Sequence, residues 1–297
     1  PDLPEEEDLE ALAAQALFRR LLEGIRALGE RLSTGTDSSS ILDPPEAVFR
    51  QVQEIAIGEI DQPSTLSFTE NPNFRALATY PGPHHLASLL MPASARLEEC
   101  ATANVCMPPG TNELRWVELR QAVVRQRPFL WRNHRDAMSK GFLDMGTSAA
   151  VSFPTGAGKS TLSELKVASA IAGGGDILYL APTHALVSQV KRSLQQTFPE
   201  VVVGDSLVAE DFYVEVGEDS LERIAVMTPE RCLALVGIAS QMFARVRLVI
   251  FDECHLLHPQ ASGRTRRSVD AMLAVLHLAR VAPKTDWLLL SAMMENA

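Results

Sequence analysis

The residues best suited to chemistry lie in Phe153–Thr161, which reads FPTGAGKST. This segment follows the apolar run Ala149–Phe153 and precedes a stretch of helical periodicity, Leu162–Ile171. A glycine-rich turn between a strand and a helix directs several backbone N–H groups at one phosphate, and the helix N-terminus adds partial positive charge. In such a turn Lys159 can reach the β- and γ-phosphates of a nucleotide, and the Ser160 hydroxyl can bind Mg²⁺. The residues predicted to contact the nucleotide are Pro154, Thr155, Gly156, Ala157, Gly158, Lys159, Ser160 and Thr161.

A pair of adjacent carboxylates forms a second candidate site. Asp252 and Glu253 directly follow the apolar residues Val249–Phe251. In phosphoryl transfer one such acid can hold the Mg²⁺ that bridges two phosphates, and the other can orient and deprotonate the attacking water. The pattern predicts the first role for Asp252 and the second for Glu253. A solvated acidic turn is the alternative, but such turns seldom follow a buried apolar run.

The chain after Ser148 alternates short apolar runs with segments of helical periodicity. The apolar residues within each run are continuous, which is typical of strands covered on both faces. Helical segments between such strands predict right-handed crossovers and a doubly wound parallel sheet of the α/β class, in which ligands bind at the carboxyl ends of the strands. The predicted strands are Ala149–Phe153, Ile177–Ala181, Val201–Val203, Ile224–Met227, Leu248–Phe251 and Trp287–Leu290.

The first third of the chain is predicted to be mostly helical. Apolar residues recur at three- and four-residue spacings over 8–32 and again over 112–126. Another helix is predicted from Asp43-Pro44-Pro45 to about Ile60, and shorter helical pieces near 85–105. The polar stretch 33–40 is predicted to be a linker. No catalytic residue is predicted in this part.

Composition limits the class of protein and its surroundings. The chain has 297 residues, of which 46% are hydrophobic and 22% charged, as in ordinary globular proteins. Four cysteines are too few for a disulfide scaffold, and they fit a reducing compartment. The longest uncharged apolar run, Cys232–Ala244, is shorter than the roughly 20 residues that a membrane-spanning helix needs. We therefore expect a soluble, cytoplasmic protein without a membrane partner.

Net charge does not decide whether the partner is a nucleic acid. The formal charge is −10, and residues 1–10 contribute six acids and no base to it. An acidic protein can still carry a local basic groove. Because the chain starts at Pro1 and ends directly after a strand-like run, we expect it to be a fragment of a longer protein.

The ordered set of motifs resembles superfamily 2 helicases, and within them the Ski2-like DExH helicases. Asp252-Glu253-Cys254-His255 is similar to their D-E-x-H box, and Phe153–Thr161 to their motif I. Motif Ia is resembled by Thr183-His184-Ala185-Leu186, which follows Ala181-Pro182. The remaining similarities are Thr228-Pro229-Glu230 to motif Ib, Ser291-Ala292-Met293 to motif III, and Gly204-Asp205 to a G-D pair of Ski2-like members.

The resemblance implies an architecture and a set of roles. Residues 127–297 would form the first of two RecA-like P-loop NTPase domains, and 1–126 a helical N-terminal accessory domain. The second RecA-like domain, which supplies arginines to the γ-phosphate, would be a partner from elsewhere in the parent protein. The implied catalytic residues are Lys159, Asp252, Glu253 and His255. The implied nucleic-acid contacts are Pro182, Thr183, His184, Thr228, Pro229 and Glu230, and Ser291 would couple the nucleotide to the nucleic acid. Thr183 and Thr228 are equally well explained as helix caps.

The sequence departs from the family pattern at three places. His134 or Asn133 stands where the family carries its adenine-reading glutamine, and either side chain can hydrogen-bond a base edge. We therefore assign His134 to the cofactor-binding residues, with the choice between the two left open. Phe153 replaces the usual first glycine of motif I, and Met293 the usual threonine of motif III.

Together these features predict the ATP-binding half of an ATP-dependent nucleic-acid helicase or translocase that uses ATP and Mg²⁺. One alternative is a non-unwinding translocase or remodelling subunit of a larger complex, such as a bacterial anti-phage defence system, with the helical first third binding a protein partner. Another is a catalytically silent nucleic-acid scaffold, which intact Lys159, Asp252 and Glu253 disfavour. Cys100 and Cys106 are interpreted as structural, Gly263–Arg267 as a solvated basic loop, and His258 as no ligand.

Overall fold

The computed structural model describes residues 6–35, 43–57, 80–154, 156–201, 203–204, 223–257 and 266–292. The chain consists of two compact units, Pro1–Asn104 and Val105–Ala297. The boundary therefore lies earlier than the one predicted after residue 126. Within the described residues, no helix combines the length and apolar character that crossing a membrane requires.

The described residues of the first unit form three α-helices and a short 3-10 turn. They are α1 (Glu6–Thr34), α2 (Pro45–Ile57), α3 (Pro81–Cys100) and the turn Thr102–Asn104. Prolines in the first turns of α2 and α3 occupy positions where no backbone donor is needed. The buried side chains of this unit include Leu17, Leu21, Phe49, Val52, Ala56 and Ala87. The predicted helical character of the first third is thereby confirmed.

The described residues of the second unit form a six-stranded parallel sheet with helices around it. Its strands are β1 (Ala149–Ser152), β2 (Asp176–Leu180), β3 (Val203–Gly204), β4 (Ile224–Met227), β5 (Val246–Phe251) and β6 (Asp286–Ser291). Its α-helices are α4 (Glu113–Gln126), α5 (Arg132–Ser139), α6 (Lys159–Ala172), α7 (His184–Thr197), α8 (Pro229–Ile238) and α9 (Arg266–Val281), and 3-10 turns cover Ser240–Phe243 and Cys254–Leu257. The strand order β1-β6-β5-β2-β4-β3 confirms the predicted doubly wound sheet. The third strand overlaps its predicted range, 201–203, only at Val203.

Apolar side chains cover both faces of this sheet, which explains its continuous apolar runs. Every residue of β2 and β4 is buried. Ile177 and Ile250 contribute to one hydrophobic cluster, whereas Leu178 and Val249 contribute to the other. Successive side chains of a strand point to opposite faces of the sheet. When both faces are buried, apolar residues occupy successive positions, and the strand shows no alternation with polar residues.

Helix α4 belongs to the sheet unit because of its apolar face. Trp116, Leu119 and Val123 are buried in the same cluster as Leu162 and Leu165 of α6. The sequence groups α4 with the helical first third because helical periodicity does not reveal which partner a helix packs against. The structural division consequently places α4 in the second unit.

A buried lysine holds the loop before β1. The ammonium group of Lys166, on α6, donates hydrogen bonds to the carbonyl oxygens of Phe142 at 2.9 Å, Asp144 at 2.9 Å and Thr147 at 3.1 Å. The Lys166 residue is only 2% exposed, and this burial lowers the pKa of its ammonium group. Three acceptors match the three donors of an ammonium group, so the lysine ties α6 to the loop that leads into the first strand.

We predict that Lys166→Met destabilises the protein by about 2 kcal/mol or more, because it removes three hydrogen bonds from the ammonium group to loop carbonyls. The measurement is urea denaturation followed by circular dichroism. Lys140→Met is the matched control, since Lys140 is exposed and its replacement should change the free energy of unfolding by less than about 0.5 kcal/mol. Equal denaturation midpoints for the two variants would contradict the role given to Lys166.

Candidate nucleotide-binding site

The predicted phosphate loop connects β1 to α6. Gly156 and Gly158 have φ angles of 84° and 85°, in the left-handed region that residues with a side chain rarely adopt. Gly158 is the N-cap of α6, and its carbonyl oxygen accepts from the N–H of Thr161 at 3.1 Å. The loop thus turns sharply into a 14-residue helix whose first N–H groups face the carboxyl edge of the sheet. Thr155 lies outside the described residues.

The acidic pair meets this loop across the sheet edge. Glu253 Oε1 lies 3.9 Å from Lys159 Nζ, and Glu253 Oε2 lies 3.2 Å from His255 Nδ1. The backbone N–H of Asp252 donates to the carbonyl oxygen of Leu180 at 2.9 Å, which extends the pairing of β5 with β2 by one residue. The structure therefore brings together all four predicted catalytic residues, namely Lys159, Asp252, Glu253 and His255.

Glu253 has an unusual backbone conformation. Its φ is 52°, and it is the one non-glycine residue with positive φ within the described ranges. Its N–H donates to Asp252 Oδ1 at 2.9 Å, which helps to hold this turn. Strained backbone of this kind is concentrated at functional sites, where the surrounding structure keeps it in place. The turn directs the Glu253 carboxylate towards Lys159 while leaving Asp252 against the strands.

Tyr179 is a residue of the site that the sequence analysis missed. From β2 its hydroxyl donates to Asp252 Oδ2 at 3.3 Å. Burial and the nearby Asp252 carboxylate raise the pKa of Tyr179 well above its usual value, so the phenol remains a donor. The available signal is weak: one tyrosine stands in the otherwise aliphatic run ILYLA of residues 177–181, and a buried tyrosine normally needs a partner for its hydroxyl.

The oxygen donors of the site fit a divalent cation. Burial, followed by the charge of Glu253, raises the pKa of Asp252. A hard cation offsets such a cost, and Mg²⁺ prefers one or two carboxylates or hydroxyls together with phosphate oxygens and water. Asp252 and Ser160 are donors of that kind. No cluster of three or more His, Cys, Asp or Glu side chains suited to a metal occurs within the described ranges, and Mg²⁺ bound with a nucleotide does not require one.

The loop also fits a nucleoside triphosphate. A Cβ added at Gly156 would meet no described atom within 4 Å, so the backbone there is open to a ligand. Lys159 brings a positive charge to the same side of the loop, opposite Glu253. An open backbone, a helix N-terminus and a lysine are together the features that hold phosphates in such loops.

The predicted nucleic-acid contacts lie at the same edge of the sheet. Thr183 and Thr228 are the N-caps of α7 and α8, and their hydroxyl oxygens accept from Leu186 N–H at 3.3 Å and Arg231 N–H at 3.4 Å. Of their neighbours, His184 is exposed, Pro182 and Glu230 are half-buried, and Pro229 is buried. The structure thus shows the helix-capping role, and the nucleic-acid role stays a prediction.

Ser291 ends the strand between the two halves of the site. It is fully buried at the carboxyl end of β6, and its carbonyl oxygen accepts from the N–H of Phe153 at 3.2 Å. This places the serine of the predicted coupling motif beside the start of the phosphate loop. Asp205, His258, residues 263–265 and Met293 lie outside the described residues.

His134 reaches the phosphate loop from α5. The residue is fully buried, and its Nε2 lies 3.2 Å from the carbonyl oxygen of Ala157. Its other ring nitrogen, Nδ1, accepts from the backbone N–H of Trp131 at 3.3 Å.

Burial lowers the pKa of His134, which favours the neutral ring. Asn133 Nδ2 donates to the same Ala157 oxygen at 3.4 Å. Both alternatives for the adenine-reading position therefore contact loop backbone.

The fold and this site define a RecA-like P-loop nucleotide-binding domain. The sequence profile of the DEAD/DEAH box helicases matches residues 132–297, more than half of the chain. The chain belongs to the DEAD/DEAH box helicase family.

Individual relatives match parts of the chain. The antiviral helicase SKI2 of Saccharomyces cerevisiae is 30% identical over 131 residues, which are 44% of this chain and 10% of that protein. The ATP-dependent DNA helicase Hel308 of Methanocella arvoryzae is 28% identical over 180 residues, 57% of this chain and 23% of that protein. Among solved structures, Mycobacterium smegmatis helicase Lhr bound to ssDNA and AMP-PNP has 21% identity and a TM-score of 0.48, and covers 60% of this chain and 25% of Lhr. The chain thus spans a quarter or less of each of these proteins.

We predict that Gly158→Ala destabilises the protein more than Gly156→Ala does. Both substitutions force a side chain into a left-handed conformation, at about 1–2 kcal/mol. Only at Gly158 would the added Cβ overlap a ring, that of His134, which adds about 1–3 kcal/mol of overpacking. Urea denaturation of the two variants isolates this difference because the backbone cost is common to both. Equal losses of stability would show that the His134 ring does not limit position 158.

Proposed function

We propose that this chain is the ATP-binding half of an ATP-dependent nucleic-acid motor. The observation that carries the proposal is the meeting of Lys159, on the phosphate loop, with the acidic pair at the end of β5. Membership of the DEAD/DEAH box helicase family supports the same function. The alternative of a catalytically silent scaffold is disfavoured, because the Lys159 ammonium group lies close to the acidic pair Asp252 and Glu253.

Each residue of the candidate site has its own role in the proposed hydrolysis of ATP. Lys159 binds the β- and γ-phosphates, while Ser160 and Asp252 hold Mg²⁺, which neutralises charge on the phosphate oxygens. Glu253 orients the attacking water and accepts its proton. In the structure Lys159 faces Glu253, so binding of phosphate exchanges one anionic partner of the lysine for another. That exchange frees the Glu253 carboxylate for water.

The proposed binding surface for the nucleic-acid backbone is the carboxyl edge of β2 and β4. Thr183 and Thr228 start α7 and α8 there, and helix N-termini are suited to phosphate groups. Backbone contacts carry no sequence information, so the proposed motor is largely blind to base sequence. Related proteins bear the names of both DNA and RNA helicases, and the choice between the two is an outcome of the experiment below.

A second candidate function keeps the ATPase but not strand separation. The unit Pro1–Asn104 has its own buried core and lies outside the matched range 132–297. A separate helical unit is suited to docking on a protein partner. The alternative is therefore a non-unwinding translocase or remodelling subunit of a larger complex, such as an anti-phage defence system. A strand-displacement assay distinguishes the two, because a pure translocase hydrolyses ATP without separating strands.

For the complete protein that contains this chain, we predict ATP hydrolysis that needs Mg²⁺ and is stimulated by single-stranded DNA or RNA. Lys159→Ala should weaken ATP binding, whereas Glu253→Gln should retain binding and lower the rate by about 100-fold or more because the base is lost. Steady-state hydrolysis with each nucleic acid and ATP binding by fluorescence provide the measurements. Glu253-dependent turnover that neither nucleic acid stimulates would favour a protein-triggered ATPase. Unchanged turnover in both variants would reject the proposed function.

For residues 1–297 alone, we predict ATP binding with little hydrolysis. The proposed second RecA-like domain supplies arginines to the γ-phosphate, and an arginine of this kind is worth on the order of 10³–10⁵ in rate. Single-turnover hydrolysis by the chain alone, compared with the complete protein, measures this contribution. Comparable rates that Lys159→Ala abolishes in both would show that the chain needs no arginine from outside.

A further inference from the structure

The hydrogen bonds of His134 define which of its nitrogens carries the proton. Trp131 N–H points at Nδ1, so Nδ1 must be the acceptor. A neutral imidazole has one acceptor and one donor nitrogen, and the proton therefore sits on Nε2, which donates to the Ala157 carbonyl oxygen. The burial that lowers the pKa of His134 is consistent with the neutral state. Both hydrogen-bonding atoms of the ring are engaged by backbone.

The ring also fills space inside the loop. At Gly158 an added Cβ would overlap Cε1 and Nε2 of His134, so the backbone there packs closely against the ring. The ring of Phe153 lies 6.2 Å from the His134 ring between centroids, tilted by 36°. His134 thus contacts both the beginning and the end of the loop, and it does so while fully buried. A side chain in this position can fix the course of the loop but has no free edge to offer a base.

We propose that His134 is a positioning residue for the phosphate loop, so that it strengthens binding of the triphosphate group whatever base is attached. This proposal rests on the proposed nucleotide site and goes beyond it. It replaces the base-reading role inferred from sequence position with a role in shaping the loop. The loss on removing His134 must then be the same for different nucleotides and for a triphosphate without any base.

The test measures the affinity of residues 1–297 for three ligands in the presence of Mg²⁺. ATP, GTP and inorganic tripolyphosphate each displace a fluorescent ADP analogue from the wild-type chain and from His134→Ala. We expect the variant to bind all three about tenfold more weakly, by factors that agree within about twofold, because the Ala157 carbonyl loses the closer of its two donors and Gly158 loses the ring that packs against it. A tenfold loss for ATP with tripolyphosphate unchanged would show base reading and overturn the proposal. Unchanged affinity for all three ligands would overturn it as well.

Three further variants distinguish positioning from general damage. His134→Gln keeps a donor and an acceptor on one side chain, and it should recover most of the affinity for all three ligands alike. Asn133→Ala removes the longer contact with Ala157, made by a half-buried side chain, and it should weaken binding less than His134→Ala does. The matched control is Asp136→Ala, an exposed position on the same helix, which should change each affinity by less than about threefold. If Asn133→Ala lost more affinity than His134→Ala, the role of positioning the phosphate loop would belong to Asn133, and the proposal would be overturned.

The protonation state provides an independent readout. The ¹⁵N chemical shifts of the His134 ring in the wild-type chain should show a neutral ring with the proton on Nε2. A proton on Nδ1 would contradict the hydrogen-bond geometry and the proposal with it. A separate variant tests the proposed nucleotide site on which this proposal rests. If Lys159→Ala binds all three ligands as tightly as the wild-type chain, the nucleotide site is wrongly assigned, independently of the result for His134.

Discussion

The site depends on the parallel alignment of β1, β6 and β5. Parallel strands end at the same edge, and neighbouring strands lie about 4.8 Å apart, so the loops that follow β1 and β5 begin roughly 10 Å from each other. A lysine side chain can cover most of that distance, and Lys159 reaches within 3.9 Å of Glu253. The bond from Phe153 N–H to the Ser291 carbonyl fixes the start of the phosphate loop to the strand between them. A residue lost from either strand would separate the lysine from the acids.

The electrostatics of this edge follow from the same arrangement. Two carboxylates, Asp252 and Glu253, face one nearby ammonium group, and the more buried of them has its pKa raised. The tyrosine hydroxyl from β2 contributes a hydrogen bond to Asp252 but no charge. The pair is therefore more anionic than its own lysine can neutralise, and a divalent cation restores the balance. Because triphosphate brings further negative charge, nucleotide and cation favour each other's binding at this edge.

The sequence predicts the parts of the site that are local. A strand, a glycine turn and a helix start within a few residues identify the phosphate loop, and an apolar run before two acids identifies the end of β5. Contacts between distant segments could not be predicted in this way. Tyr179 and Asp252 meet only because β2 pairs with β5, and Lys166 finds its three carbonyls only once α6 packs on the loop before β1. The same limit explains why α4 was grouped with the wrong neighbours.

Capping by Thr183 and Thr228 is compatible with the nucleic-acid contacts proposed for them. A threonine hydroxyl that accepts one backbone N–H still carries its own proton, which can be donated to a phosphate oxygen. Capping also fixes the side chain, so less rotamer freedom is lost when a phosphate binds. The two caps follow neighbouring strands, β2 and β4, and therefore face the same side of the edge. A hydroxyl held by its helix is better prepared for a backbone phosphate than a free one, so the cap supports the proposed contact.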